Sequence, residues 1–285
     1  MTPARILILT LLAMIAFAGN SLLCRLALKH TSIDAATFTL IRLVAGASAL
    51  WLIAMLHQGK PLRAGNWPSA LALFVYAAAF SFAYMTLSAG TGALLLFAAV
   101  QATMMIWGLR QGERFHARQW LGLSVALSGL IALLFPGLAA PSLGASTLML
   151  CAGVAWGIYS LRGKTASDPV STTAGNFLRA VPLAVLLSIA FLPRSSLDRT
   201  GIVCAILSGA IASGLGYAIW YTALPGLKAA SAATVQLSVP VLAAAGGIFF
   251  LSESITLRFL CASLAILSGI ALVIIEKRQA FAPLE

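Results

Sequence analysis

Ten apolar runs follow one another along this chain with almost nothing between them. They cover residues 6–28, 34–56, 67–87, 92–109, 119–135, 143–161, 171–192, 201–221, 229–251 and 255–275. Most approach the ~20 residues that a helix needs to cross the hydrocarbon of a bilayer. Inside lipid, backbone groups must pair with one another, so a spanning segment is a helix or a strand of a closed barrel. These runs are apolar throughout rather than alternating, which predicts helices. Turn chemistry cuts them apart at Gln58-Gly59-Lys60-Pro61, Ser88-Ala89-Gly90, Pro136-Gly137, Pro193-Arg194 and Pro225-Gly226. The fold class that follows is all-α, a membrane protein of ten transmembrane helices.

Charged residues make up 9% of the chain, against roughly a quarter in an ordinary soluble domain, and the short loops leave no room for one. A net charge of +11 would in a soluble chain raise nucleic acid as a partner. Here the basic residues stand singly between apolar runs, which suits anchoring at a lipid interface. Membrane lipid is therefore the expected surrounding, and no nucleic acid. The run from Ile6 continues to about Leu28 and reads as a retained first helix rather than a cleaved leader. Cys24, Cys151, Cys204 and Cys261 lie in or beside apolar runs with no CxxC spacing, so they read as small buried side chains. No metal site and no cofactor is expected.

Loop charge sets orientation. With the N-terminus in the cytoplasm, eleven Lys and Arg residues fall on the cytoplasmic side and five outside, while Arg42 and Arg179 lie within spans. The expectation is a multi-pass protein of a bacterial-type cytoplasmic (inner) membrane with both termini inside.

The two halves repeat each other. Leu127-Ser128-Gly129 recurs as Leu267-Ser268-Gly269, and the same offset of 140 relates Glu113 to Glu253. Tyr84 maps to Tyr221 and Arg42 to Arg179 at 137, while Phe17, Asn20 and Ser21 map to Trp156, Tyr159 and Ser160 at 139. Five spans per unit is an odd number, so the second unit must lie upside down relative to the first. Residues 1–137 and 143–277 are the expected units, two inverted five-helix repeats around a central cavity.

The pattern resembles the drug/metabolite transporter superfamily, and within it the ten-helix EamA-type exporters. The resemblance rests on Phe17-Ala18-Gly19-Asn20, Ile41-Arg42, Phe177-Leu178-Arg179, Tyr221 to Pro225, and Ala232 to Glu253 with Pro240 inside. It covers essentially the whole chain. Among such exporters it is most similar to the YddG-type amino-acid exporters, which implies transport of amino acids with aromatic and other bulky side chains. One departure stands out. Ala102-Thr103-Met104-Met105 lacks the proline usual before the first-half glutamate, and Val100 to Glu113 is five residues shorter than Val235 to Glu253.

Candidate site residues fall into three groups. Tyr76, Phe80 and Tyr84 recur every four residues and share one helix face, as do Ser213, Tyr217 and Tyr221 at the equivalent places. Aromatic walls with hydroxyl tips suit a bulky amphipathic solute, although such stripes also serve as packing or interfacial belts. Phe17, Asn20 and Ser21, with Trp156, Tyr159 and Ser160, add hydrogen-bonding groups, and Gln101 and Gln236 add two amides. Each of these can hold a substrate or simply bond helix to helix. Pro225, Gly226 and Pro240 are candidate hinges, since proline removes a backbone donor and glycine widens the allowed dihedrals.

Arg42 and Arg179 lie some 12 Å into their spans at 1.5 Å per residue, where a bare arginine costs at least ~2.5 kcal/mol. Each needs a partner, an aqueous cavity or carbonyls at a helix end. Gate pairs Arg42–Glu253 and Arg179–Glu113 across the halves are expected. No Asp or Glu falls mid-span, which favours facilitated movement over proton coupling. The leading function is export of amino acids by alternating access. The alternative is a multidrug or organic-cation exporter, which would favour a buried acid that is not visible. A non-transporting scaffold fits the repeat poorly, and no HExxH, Gly-x-Ser-x-Gly or paired intramembrane carboxylates suggest an enzyme.

Overall fold

The computed structural model describes residues 2–56, 64–112, 116–135, 137, 140–163, 166, 168–227 and 235–280. These contain ten helices: α1 Pro3–His30, α2 Ala35–Leu56, α3 Trp67–Tyr84, α4 Ala89–Arg110, α5 Ala117–Leu134, α6 Leu143–Gly163, α7 Pro169–Ala190, α8 Arg199–Ala223, α9 Ser238–Leu251 and α10 Leu257–Ala280. The first eight are long and apolar enough to cross a bilayer, and α9 and most of α10 are shorter apolar helices. Their ends follow the turn chemistry. Asn66, Ser88, Asp168 and Asp198 each accept a backbone N–H of the first turn of α3, α4, α7 and α8, satisfying donors that a helix start leaves open.

Which helix packs on which follows a rule. The pairs α2–α7, α4–α9 and α5–α10 each join a helix to its own copy five elements on, while α3–α6 is answered by α1–α8 and α4–α6 by α1–α9. The self-pairs run antiparallel. The N-terminal end of α4 meets the C-terminal end of α9, where Glu253 accepts the Ala89 N–H. Asp34 before α2 bonds Ser196 beyond α7, and Phe135 at the end of α5 accepts from Arg258 at the start of α10. A two-fold axis along the membrane normal would leave such pairs parallel. An axis in the membrane plane makes them antiparallel, so the halves are inverted.

Helices in lipid gain little from burying apolar surface and instead approach closely through small residues. A Cβ on Gly122 would lie 2.5 Å from the Gly269 carbonyl, and one on Gly129 would lie 3.1 Å from that of Ala262. Gly122 and Ala262, like Gly129 and Gly269, are equivalents at the offset of 140. The α5–α10 crossing is therefore one contact made twice. Large apolar side chains such as Leu7, Ile15, Phe249 and Leu264 face outward, where lipid would cover them.

Two expectations change in the second half. The eighth span is not a uniform α-helix: residues Leu207–Leu215 form π turns, the looser i→i+5 winding often met at functional places. Ser208, Gly209, Ala212, Ser213 and Gly214 make this stretch weakly helix-forming, and Gly209 lies against the Arg42 carbonyl. The ninth span, expected as 229–251, contains a break. Residues 235–236 are helical, Leu237 is a turn, and α9 starts at Ser238. Pro240 thus stands in the first turn of α9 rather than in mid-helix. Its ring would crowd the carbonyl of Gln236 in a continuous helix, which accounts for the interruption just before it.

Candidate functional site

Four helices bring the predicted aromatic residues to one place. The Trp156 ring of α6 lies tilted against Tyr76 of α3 at 4.9 Å and against Tyr217 of α8 at 4.9 Å. Tyr76 meets Phe80 at 5.4 Å, and Phe80 meets Tyr84 edge-on at 4.7 Å. Tyr217 meets Phe17 of α1 at 5.9 Å and Phe177 of α7 at 6.0 Å, and Tyr159 lies 5.5 Å from Trp156. These offset and edge contacts suit ring quadrupoles. The result is a continuous aromatic seam between the halves, with Trp156 as its bridge.

A polar thread runs through it. Asn20 of α1 donates from Nδ2 to the Tyr76 hydroxyl at 3.2 Å and accepts from Ser208 at 2.6 Å. Arg42, 1% exposed, donates from Nη2 to the same Tyr76 hydroxyl at 3.1 Å. Its guanidinium lies 4.9 Å from the Phe80 ring centre and 5.3 Å from that of Tyr76, a favourable cation–π placement. Arg42 has no carboxylate partner among the described residues. Its Nη1, the Tyr217 hydroxyl and the Ser213 hydroxyl are buried without any hydrogen-bond partner.

The expected pair Arg42–Glu253 does not form. Arg42 sits at mid-span in the aromatic seam, whereas Glu253 follows the end of α9 and is reached by Arg25, near the end of α1. Arg25 Nε donates to Glu253 Oε1 at 2.9 Å, and its Nη1 donates to the carbonyls of Tyr84 and Met85. Glu253 Oε2 accepts the Ala89 N–H at 2.9 Å, at the start of α4. Ser252, in the left-handed region at φ 53°, turns the chain so that Glu253 folds back over α9. A cavity of about 210 Å³ opens beside this cluster, lined in part by Thr86, Thr91, Glu253 and Phe259. Arg25 is one of the five basic residues that loop counting places outside the membrane. Its place inside the first apolar run, short of Leu28, was the signal that it is enclosed.

The opposite end is held differently. Arg179 donates to the carbonyls of Ala64 at 2.6 Å and Gly175 at 2.8 Å, the carbonyl arrangement named as the alternative to a gate pair. Glu113, its expected partner, lies outside the described residues. Arg162 of α6 bonds Ser69 and Asn66 of α3, and Asn176 accepts the Asn66 N–H.

Other predicted residues lie off the centre. Tyr84 closes the seam at the end where α4 begins, donating to the Ala89 carbonyl at 3.2 Å. Tyr221 approaches Gly163 at the other end. Ser21 and Gln101 are buried on α1 and α4, while Ser160 and Gln236 are half-buried. Pro225 and Gly226 form the short turn Leu224–Gly226 that ends α8. Cys24 and Cys204 are buried as expected, but Cys151 and Cys261 are exposed on the outer face. On a lipid-facing surface a small apolar thiol needs no burial.

One carboxyl outside the membrane segments is held low. Asp34 caps α2 and accepts the amides of Ala36, Thr37 and Ser196. Partial burial pushes this carboxyl up, but the hydrogen bonds from Thr37, Ser196 and Ala36 outweigh it.

An inverted pair of five-helix units, meeting along a seam of aromatic and buried polar groups, defines a polytopic membrane protein. The chain belongs to the EamA-like transporter family, which matches residues 4–135 and 143–275. An uncharacterized protein of Pseudomonas aeruginosa is 56% identical over 278 residues, 96% of each chain. A probable amino-acid metabolite efflux pump of Escherichia coli is 27% identical over 199 residues, 64% of this chain and 66% of that one. The threonine/homoserine exporter RhtA of Salmonella typhimurium is 31% identical over 143 residues, 47% of each. A solved protein structure superposes with a TM-score of 0.70 over 99% of this chain and all of the other at 16% identity, a likeness of fold.

Proposed function

We propose that this transporter exports amino acids, aromatic ones included, across a cytoplasmic membrane by alternating access, with residues 1–137 and 143–277 as its two units and both termini inside. The observation that carries the reading is the aromatic seam, to which each half contributes rings and which holds a buried amide, Asn20. Flat rings accept a bulky side chain without demanding one shape. Two relatives named for amino-acid efflux support the substrate class. With Arg25 set aside as enclosed, eleven basic residues against four support the orientation.

Movement is proposed to be facilitated. Asp34, Asp168, Asp198 and Glu253 stand at helix ends and Glu276 is the fifth residue from the end of α10, whereas a proton relay ordinarily places a carboxylate mid-membrane. An organic-cation exporter is the weaker reading, because the charged group in the seam is Arg42, which repels cations.

The test is flux of labelled amino acids into liposomes holding the purified protein, scanned over side-chain classes with organic cations alongside. Phenylalanine and tyrosine should move faster than cations. Cations moving while amino acids do not would overturn the reading. A proton gradient imposed at zero membrane potential should leave the flux unchanged, and acceleration would refute facilitated movement.

A further inference from the structure

Arg42 is the largest unmet electrostatic demand in the seam. A fully buried guanidinium has lost its hydration, and among the described residues a phenol oxygen and two ring faces compensate it. Such a charge is ordinarily paired with an anion. No anion of the protein is within reach among the described residues, since Glu253 is held by Arg25. Nη1 remains free to donate, and so do the Tyr217 and Ser213 hydroxyls.

Tyr76 sharpens the picture. Its oxygen accepts from both Asn20 and Arg42, so its own proton is left to donate outward. The site thus offers one fixed positive charge and several converging neutral donors, bordered by the rings of Phe80 and Trp156.

We propose that Arg42 is the binding residue for the substrate's carboxylate, with the Tyr217 hydroxyl as a second donor, while the side chain lies against the Trp156 and Phe80 rings. This rests on the amino-acid reading above and makes it specific: the recognised class is a monoanionic carboxylate bearing an apolar or aromatic group. One guanidinium matches one carboxylate, whereas a phosphate dianion would leave a charge unpaired in an apolar surrounding. Binding also gives Arg42 the counter-ion it lacks, so substrate stabilises the seam as it enters.

The test is binding read by quenching of tryptophan fluorescence in detergent-purified protein, with phenylalanine, 3-phenylpropionate, phenylalaninamide and phenethylamine as probes. The intact protein should bind the two carboxylates at least about tenfold more tightly than the amide and amine, the scale of one charge-assisted bond. Arg42→Gln should erase that preference, and Arg42→Lys should restore part of it. Tyr217→Phe removes a hydroxyl that neighbours the Tyr76 phenol and hydrogen-bonds no charged group among the described residues, so thermal stability should change little while carboxylate affinity drops severalfold. That variant decides the matter if Arg42→Gln does not fold.

Equal binding of phenylalanine and its amide by the intact protein overturns the proposal. So does an Arg42→Gln protein that folds and keeps the preference. The two readings separate cleanly. Amino-acid flux that is indifferent to Arg42 sinks the anchoring and spares the exporter. Binding of 3-phenylpropionate that depends on Arg42, with no amino-acid flux, spares the anchoring and sinks the exporter.

Discussion

Breaking the Arg25–Glu253 pair should loosen the end of the molecule where α1 and α9 finish, by an amount the geometry sets. The pair ties α1 to the chain just beyond α9, and the same two side chains reach the Tyr84 and Met85 carbonyls and the Ala89 amide. The side chains are 10% and 15% exposed, so solvent screens them little. Glu253→Gln is the mildest perturbation. The amide oxygen still accepts from Ala89, but its NH₂ then faces the Arg25 guanidinium, donor against donor. The loss is one charge-assisted hydrogen bond, about 1.5–3 kcal/mol, and a middle figure of about 2 kcal/mol shifts a closed-to-open ratio roughly 30-fold. Cys24 reports the shift, because it precedes Arg25 and is fully enclosed. With the other three cysteines replaced by alanine, a membrane-impermeant maleimide should label Cys24 about 30-fold faster in Glu253→Gln than in the parent, and similarly in Arg25→Gln. The double variant should label no faster than either. Unchanged labelling in the single variants, or fully additive rates in the double, would refute the idea that this pair clamps that end.

Three further outcomes follow from particular atoms. Gly209→Ala places a methyl against the Arg42 carbonyl backbone and should destabilise by about 1–3 kcal/mol, whereas Gly19→Ala meets nothing within 4 Å and should be neutral or gain up to ~1 kcal/mol; thermal melts in detergent compare them. Ser252→Gly relieves a left-handed backbone that a Cβ disfavours and should raise the melting point, by about 1 kcal/mol of stability. The Asp34 carboxyl is held below its ordinary range, so its folded pKa is lower than its unfolded one; its contribution is present at neutral pH and fades as pH falls through the folded value. Asp34→Asn should flatten that acid-side loss in melts taken across pH, while Asp34→Ala should also lose the α2 cap, by about 1 kcal/mol.

The helices and their inversion were legible because both rest on sequence-local signals. Apolar run length counts the spans, and an odd number of spans per unit turns the second copy over. The aromatic gathering was legible for a related reason: Tyr76 and Phe80, and their counterpart Tyr217, mark helix faces by spacing, and the repeat says which faces are equivalent. What resisted reading were partners that depend on tilt and depth. Arg42 and Glu253 fall on the same side by counting residues, yet Glu253 folds back after Ser252 while Arg42 stays at the centre. The π winding of residues 207–215 carried only the weak signal of many small residues.

The packing keeps the two-fold relation where the chemistry breaks it, and the break has a cause at one pair of positions. Tyr76 and Ser213 occupy equivalent places on α3 and α8, as Arg42 and Arg179 do on α2 and α7. Tyrosine is long enough to reach Arg42 and hold it in the seam. Serine is short, its hydroxyl stays unpartnered, and Arg179 turns to backbone carbonyls near the start of α3 instead. One guanidinium is therefore held within the aromatic seam and the other on backbone carbonyls near the start of α3. Interconversion between two mirrored conformations asks only that the helix contacts be symmetric, since each half must accept the other's arrangement. Recognition of a solute with a charged end and an apolar end asks for the opposite, a site with a direction. A repeat that diverges at Tyr76 and Ser213 while keeping small residues at its crossings, Gly122 with Ala262 and Gly129 with Gly269, meets both demands with few substitutions.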